Sequence, residues 1–384
     1  MMVNRMILNE TSYFGKGAIE KIAEEATKRG FKKALVITDK GLMEAGVATR
    51  VTAILDQANL SYEVFDGIVP NPSIEEVQAG IVAFNQAEAD YLIAVGGGSP
   101  IDTAKAIGII ITNPEYADVR SLEGEVATKN PSVPILAVPT TSGTAAEVTI
   151  NYVITDKERQ RKFVCVDPHD IPVVAFVDSN MMMGMPTALC AATGMDALTH
   201  AIEGYITKGA WELTDMMHLK AIEIIGRSLR ASVKGQQSAR EEMALAQYIA
   251  GMGFSNVGLG LVHGMAHPLS SWYDVPHGVA CASLLPDVMD YNKEQTGEKY
   301  RDIACALEVA GAASLSLAEV RDAAVAAVRQ LGKDVGIPQN ITELGVKADD
   351  IPLIAKDALA DVCTGGNPRE TNLVEIESIY RHML

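Results

Sequence analysis

The sequence predicts an α/β domain on a parallel sheet followed by an all-helical domain, and three observations lead there. The chain has 384 residues, more than a single hydrophobic core usually serves. Its first half alternates apolar runs of strand length with amphipathic runs of helix length, the pattern of strands joined through helices. After "MMMGMP" (181–186) the strand-like runs stop.

Taken in order, the first half offers a helix over "AIEKIAEEATKRG" (18–30), a strand over "KALVIT" (33–38), a helix over "GVATRVTAILDQANL" (46–60) and a strand over "YEVF" (62–65). A helix over "IEEVQAGIVAFNQA" (74–87) then precedes strands over "DYLIAVGGG" (90–98), "VPILAVPTT" (133–141) and "IPVVAFVD" (171–178). Runs apolar on both faces belong in a parallel sheet covered on both sides. Beyond Pro186 the chain is rich in Ala, Leu, Met and Glu at helical spacing, as in 212–230, 240–254 and 317–332. The expected domains are therefore 1–185 and 186–384, with the Met-rich "MMMGM" as packing at the hinge.

Composition narrows the function classes. Hydrophobic residues make up 48% and charged residues 21%, with no run of 18 apolar residues and no basic-then-apolar N-terminus, so a soluble cytoplasmic protein is expected. A net charge of −17 without a clustered basic face argues against nucleic acid and acidic membranes as partners. The five cysteines are odd in number, scattered and never spaced as CxxC; they read as buried thiols in a reducing compartment rather than disulfides or a thiolate zinc site.

Three strand ends in the first half suit a dinucleotide. In "YLIAVGGGSPIDTAKAIG" (91–108) a strand turns through Gly96, Gly97 and Gly98 into a helix. There Ser99 can cap, Pro100 suits the first turn and Asp102 stands where a capping-box acid would, so a helix N-terminus faces any anion held by the loop. Asp39, just beyond another strand, can accept both ribose hydroxyls and repels a 2′-phosphate, which favours NAD over NADP; an acid there also serves as an ordinary helix cap. Thr140, Thr141, Ser142 and Thr144 surround Gly143 at a third strand end and offer hydroxyls and amides to a diphosphate.

The second half gathers histidines. Asp196 and His200 stand four apart in "TGMDALTHAIEGY" (193–205), as do His263 and His267 in "HGMAH", and His277 follows a turn in "SSWYDVPHG". A carboxylate with two or three imidazoles is a donor set for Fe²⁺, Zn²⁺, Co²⁺ or Mn²⁺, with a position left for a substrate oxygen. His169, His218 and His382 have no such company in the sequence.

Together "GGGSPID", "PTTSGTAAE", "GMDALTHAIEGY" and "HGMAHPLSSWYDVPHG" resemble the iron-containing (group III) alcohol dehydrogenases, and the likeness runs over essentially the whole chain. The resemblance implies a Rossmann-like dinucleotide-binding domain followed by a helical metal domain, the architecture shared with dehydroquinate synthase. It implies Asp196, His200, His263 and His277 as ligands of Fe²⁺, with Zn²⁺ as the alternative, and His267 as a residue near the reacting carbon that does not bind metal. Gly97, Gly98, Ser99 and Asp102 would hold the diphosphate region of NAD(H), Thr140, Thr141 and Thr144 would line the cofactor, and Val153 and Lys162 would flank it. Asp39 matches the acid of NAD-preferring members, and Asn71 a cofactor-contacting asparagine. The activity implied is reversible reduction of a small uncharged aldehyde, lactaldehyde to 1,2-propanediol first among them, in a homodimer. Related alternatives are a glycerol-type polyol dehydrogenase or a metal-dependent lyase on the same architecture, and outside enzymes a silent nucleotide or metal sensor. Residues 260–288 contain no Lys or Arg, which favours an uncharged substrate over the sugar phosphate of a lyase. The chain departs from the family pattern at Ser270 and Asp287, and Trp272, Asp274 and Val275 are further distinctive residues in the loop before His277.

Overall fold

The computed structural model describes residues 3–384. Contacts divide them into a unit ending at Met185 and a unit from Pro186 to Leu384.

The described residues of the first unit form nine strands: β1 (Thr11–Phe14), β2 (Lys33–Ile37), β3 (Ser61–Phe65), β4 (Tyr91–Gly96), β5 (Gly124–Glu125), β6 (Ile135–Pro139), β7 (Asn151–Asp156), β8 (Arg161–Val166) and β9 (Val174–Val177). Six of them make one fully parallel sheet in the order β1-β9-β6-β4-β2-β3. Helices α1 (Ile22–Lys28), α2 (Lys40–Glu44), α3 (Ala48–Gln57), α4 (Ile74–Ala87) and α5 (Gly98–Thr112) complete the unit. Alternate side chains of each strand point to opposite faces. Leu35, Ile37, Leu92, Ala94, Ile135 and Ala137 therefore pack with Val77 and Phe84 of α4 and Ile101 and Ile107 of α5. Their neighbours Ala34, Val36, Tyr91, Ile93, Val95, Leu136 and Val138 pack with Ile22 and Ala26 of α1 and Val51 and Leu55 of α3.

The strand order sets where a ligand can sit. From β2 the chain moves outward to β3, then returns to place β4 on the other side of β2 and β6 beyond it. The loops leaving β2 and β4 thus part in opposite directions, opening the crevice at the carboxyl edge that nucleotides occupy in sheets of this kind. The small sheet β5-β8-β7 was not anticipated from the sequence. In β7 only Tyr152, Ile154 and Asp156 are buried and in β8 only Phe163 and Cys165, so neither strand carries the continuous apolar run that marks the main sheet.

The second unit is helical: α6 (Thr187–Ile206), α7 (Glu212–Val233), α8 (Gln237–Val257), α9 (Leu261–Tyr273), α10 (His277–Asn292), α11 (Lys299–Ala306), α12 (Leu317–Asp334), α13 (Ile351–Ala360) and α14 (Leu373–His382). Helix α6 is buried from Cys190 to Ile206, which accounts for its small and apolar residues on every side. Among the described residues no single helix is long and apolar enough to cross a membrane.

Candidate metal centre and cofactor cradle

In the helical unit, α6 carries Asp196 and His200, α9 carries His263 and His267, and α10 begins at His277. The fourfold spacing stacks each pair on one face of its helix. Helix α9 ends at Asp274, whose left-handed φ of 54° turns the chain so that α10 restarts three residues later. Gly278 lies against α6: a Cβ there would come within 2.7 Å of the Ala192 carbonyl oxygen, so glycine lets the start of α10 close onto the helix bearing Asp196.

One donor atom each from Asp196, His263, His277 and Cys281 lies within 4.8 Å of the others. His277 Nε2 is 3.7 Å from Asp196 Oδ1. His263 is 2% exposed and its Nε2 has no hydrogen-bond partner among the described residues, while its Nδ1 lies 2.6 Å from Glu203 Oε2. A carboxylate can only accept, so Nδ1 carries the proton and Nε2 presents a lone pair to the cluster. Burial pulls the His263 pKa down, but Glu203, Asp196 and Asp361 together hold it above the ordinary value. Glu203 also receives the backbone N–H of Val262 at 2.6 Å, which fixes the first turn of α9 to α6. The buried, unpartnered nitrogen and the mixed carboxylate and imidazole donors fit a divalent transition ion.

His200 stands outside that group of four. Its ring lies between Phe254, at 4.2 Å between centroids, and His263, at 4.7 Å, nearly parallel to both. His267 joins a different arrangement: its Nδ1 is 2.7 Å from Asp361 Oδ2, and its ring stacks on His277 at 5.4 Å. Burial alone would push the Asp361 carboxyl up, yet His267 and the N–H of Cys363 hold it below the usual carboxylate range. That bond occupies Nδ1 of His267 and leaves Nε2 as the ring's other nitrogen.

Three contributors went unassigned in the sequence. Glu203 was legible in principle, seven residues after Asp196 and so on the same helical face. Asp361 was not, being 94 residues from the ring it orients. Cys281 also lies close, its Sγ 3.6 Å from His277 Nε2, one helical turn away; the expectation of buried thiols holds for Cys165, Cys190 and Cys281 but not for Cys305, which is exposed, or Cys363, which is half-buried.

The α/β unit holds the other predicted residues. Asp39 follows β2 and caps α2, accepting from the N–H of Leu42 at 2.8 Å. The glycine turn after β4 differs from expectation in detail. Helix α5 begins at Gly98 with Gly97 as its cap, so Ser99 lies inside the first turn and no side chain caps the helix. Asp102 makes no capping box; its carboxylate accepts from the N–H of Val153 at 3.0 Å, and burial pushes it up to about 6 against the pull of Lys105, that N–H and Lys162. The backbone here runs close to the Thr140–Thr144 loop, so a side chain at either glycine would crowd it. A Cβ on Gly97 would come within 3.1 Å of Thr141 Oγ1, and one on Gly98 within 3.1 Å of Thr144 Cγ2. Thr140 donates its N–H to the Gly96 carbonyl at 2.9 Å, joining the two strand ends. Ser142 is buried, and its Oγ has no hydrogen-bond partner among the described residues. A helix start without a side-chain cap beside an unpartnered hydroxyl fits a diphosphate. Lys162 of β8 donates to Asn71 Oδ1 at 2.7 Å, bringing those two predicted residues together.

A nucleotide-type cradle in a parallel sheet and a buried carboxylate and imidazole centre in a helical unit define a metal-dependent dehydrogenase of two-domain build. The chain belongs to the iron-containing alcohol dehydrogenase family: the model of that name matches residues 9–179, and the model of its C-terminal part matches residues 190–384. It is 64% identical over 379 residues to the lactaldehyde reductase of Escherichia coli strain K12, covering 99% of each chain. It is 43% identical to the 1,3-propanediol dehydrogenase of Klebsiella pneumoniae, covering 98% of this chain and 97% of that one. A crystal structure of a 1,3-propanediol oxidoreductase superposes with a TM-score of 0.96 at 42% identity, covering both chains entirely. The chain is accordingly an alcohol–aldehyde oxidoreductase.

Proposed function

We propose that this enzyme interconverts lactaldehyde and 1,2-propanediol with NAD(H) and a divalent ion, Fe²⁺ by family and Zn²⁺ as the alternative. The observation that carries the chemistry is the buried His263 Nε2, held without a partner beside donors from Asp196 and His277. The substrate follows the 64% likeness to a lactaldehyde reductase.

In this reading Asp196, His263, His277 and His200 hold the ion, with Glu203 fixing the His263 tautomer. When bound, the ion supplies Lewis acidity to the substrate oxygen. His267, oriented by Asp361 through Nδ1, passes a proton at Nε2 to the nascent alcohol and takes it back in the reverse direction. Gly97, Gly98, Ser99, Asp102, Thr140, Thr141 and Thr144 receive the diphosphate and neighbouring parts of NAD(H), Val153, Lys162 and Asn71 flank it, and Asp39 reads the ribose. Asp39 serves this role through whichever oxygen does not cap α2. A cytoplasmic homodimer, implied by family resemblance, belongs to the same proposal; sedimentation at twice the mass of one chain tests the oligomer.

The decisive experiment strips the metal anaerobically, restores Fe²⁺ or Zn²⁺ separately, and follows NADH oxidation with lactaldehyde, glycolaldehyde and a longer aldehyde. Restored turnover, fastest with lactaldehyde, is expected. Turnover undiminished in the stripped protein sinks the metal role, and preference for the longer aldehyde sinks the substrate. Asp39→Gly is expected to narrow the NADH over NADPH preference; an unchanged ratio removes Asp39 from the ribose site.

A further inference from the structure

The small sheet that the sequence did not announce is held by a lysine with no exposure at all. Lys105 lies on α5, two turns after that helix begins at Gly98. Its Nζ donates to the Thr149 carbonyl at 2.6 Å, to Thr149 Oγ1 at 2.8 Å and to the Asn151 carbonyl at 2.8 Å, one acceptor for each N–H of an ammonium. Asp170, equally buried, lies 3.8 Å away through Oδ1. Burial works against charge on both, drawing Lys105 down and pushing Asp170 up, and each resists that shift in the other.

A methionine would fill this volume without the cost of a buried amine, so packing alone does not account for a lysine here. What its bonds reach decides their use. Thr149, Asn151 and Val153 alternate along the chain that enters β7, and α5 holds all three. Lys105 takes the first two carbonyls, and Asp102, one turn earlier on the same helical face, accepts the Val153 N–H at 3.0 Å. Strand β7 pairs antiparallel with β8, Val153 opposite Val164 and Thr155 opposite Lys162. The hairpin bearing Val153 and Lys162 is thus fastened to the helix whose first turn, at Gly98 and Ser99, follows the glycine turn.

We propose that Lys105 is a positioning residue for NAD(H): by fixing Thr149 and Asn151 against α5 it sets the β7–β8 hairpin relative to the diphosphate end of the cradle, and so tightens NAD(H) binding. This rests on the NAD(H) reading above. Being fully buried, Lys105 acts through the strand and not by contact with the cofactor. Asp170 has a different part, supplying the opposite charge beside the buried amine. The two parts are separable, because the bonds from Nζ reach the strand and the ion pair does not.

The test uses the full-length, metal-loaded protein and calorimetric titration with NADH and, separately, with AMP, which lacks the nicotinamide half. In Lys105→Met the Kd for NADH is expected to rise about tenfold, within the range of residues that act on a ligand through others. The Kd for AMP should stay unchanged, because no bond from Lys105 reaches the Asp39 end of the cradle. Methionine leaves Asp170 buried without its partner, so Lys105→Met/Asp170→Asn is measured beside the single variant. Urea unfolding should show stability regained in the double variant, with the NADH Kd still raised. NADH bound by the double variant as tightly as by wild type overturns the proposal, since the lysine would then serve only to neutralise Asp170. Equal weakening of NADH and AMP overturns it too, since the damage would then extend over the whole unit. A wild type that binds no NADH overturns the NAD(H) reading itself, and the proposal with it.

Discussion

Two imidazoles in the helical unit are equally hidden and behave oppositely. His263 on α9 and His218 on α7 are 2% and 0% exposed. His263 has Glu203 at 2.6 Å and its pKa is raised; His218 has no hydrogen-bond partner at either ring nitrogen among the described residues, and burial with the nearby Lys299 lowers it to about 3. Glycine makes room for the second ring: a Cβ on Gly204 or Gly253 would come within 2.4 or 2.2 Å of His218 Nε2. Burial thus gives a histidine no chemistry by itself. A carboxylate that fixes the tautomer and leaves the other nitrogen facing further donors turns a packed ring into a candidate ligand.

The largest expected effect comes from removing the ring at the centre. His263→Ala should abolish metal retention and activity together, checked by metal analysis and NADH turnover, and normal turnover in a metal-free variant breaks the assignment. The next effect separates the ring from its carboxylate. Glu203→Gln keeps the shape and an oxygen acceptor but removes the charge, and metal affinity should fall about 10–100-fold with the fold retained. Calorimetric titration of the stripped protein measures this, and an unchanged affinity would mean that the Glu203 charge is not what distinguishes His263 from His218.

The same contrast explains what could be read in the sequence. The main sheet was legible because strands covered on both faces, such as β4 with all six residues buried, spell continuous apolar runs. Strands β7 and β8 bury one face only and carry Asn, Thr, Asp, Arg and Lys on their length, so they escaped. At the site, the pairs Asp196/His200 and His263/His267 announce themselves by helical spacing, but spacing cannot say that His200 stacks against Phe254, 54 residues on, while Cys281 approaches His277. Ser99 and Asp102 looked like capping residues because local chemistry suits them to it. The structure instead starts α5 at Gly98, with Gly97 running close to Thr141 of the neighbouring strand end.

A further expected effect is on stability rather than on metal binding and belongs to His218. The folded state keeps this ring neutral down to about 3, whereas in the unfolded chain it takes up a proton below its ordinary value of 6.5. Between those limits the unfolded state binds more protons, so stability is lost as pH falls through the window and fully present above it. At about 1.4 kcal/mol for each pH unit, the loss is about 5 kcal/mol at most. His218→Leu removes the titrating group. Urea unfolding from neutral pH down to about pH 4 should therefore show the wild type losing stability more steeply than the variant, whatever constant offset the changed packing introduces. Parallel slopes would mean that His218 takes up its proton in the folded state as readily as in the unfolded one, and the contrast with His263 would then rest on metal binding alone.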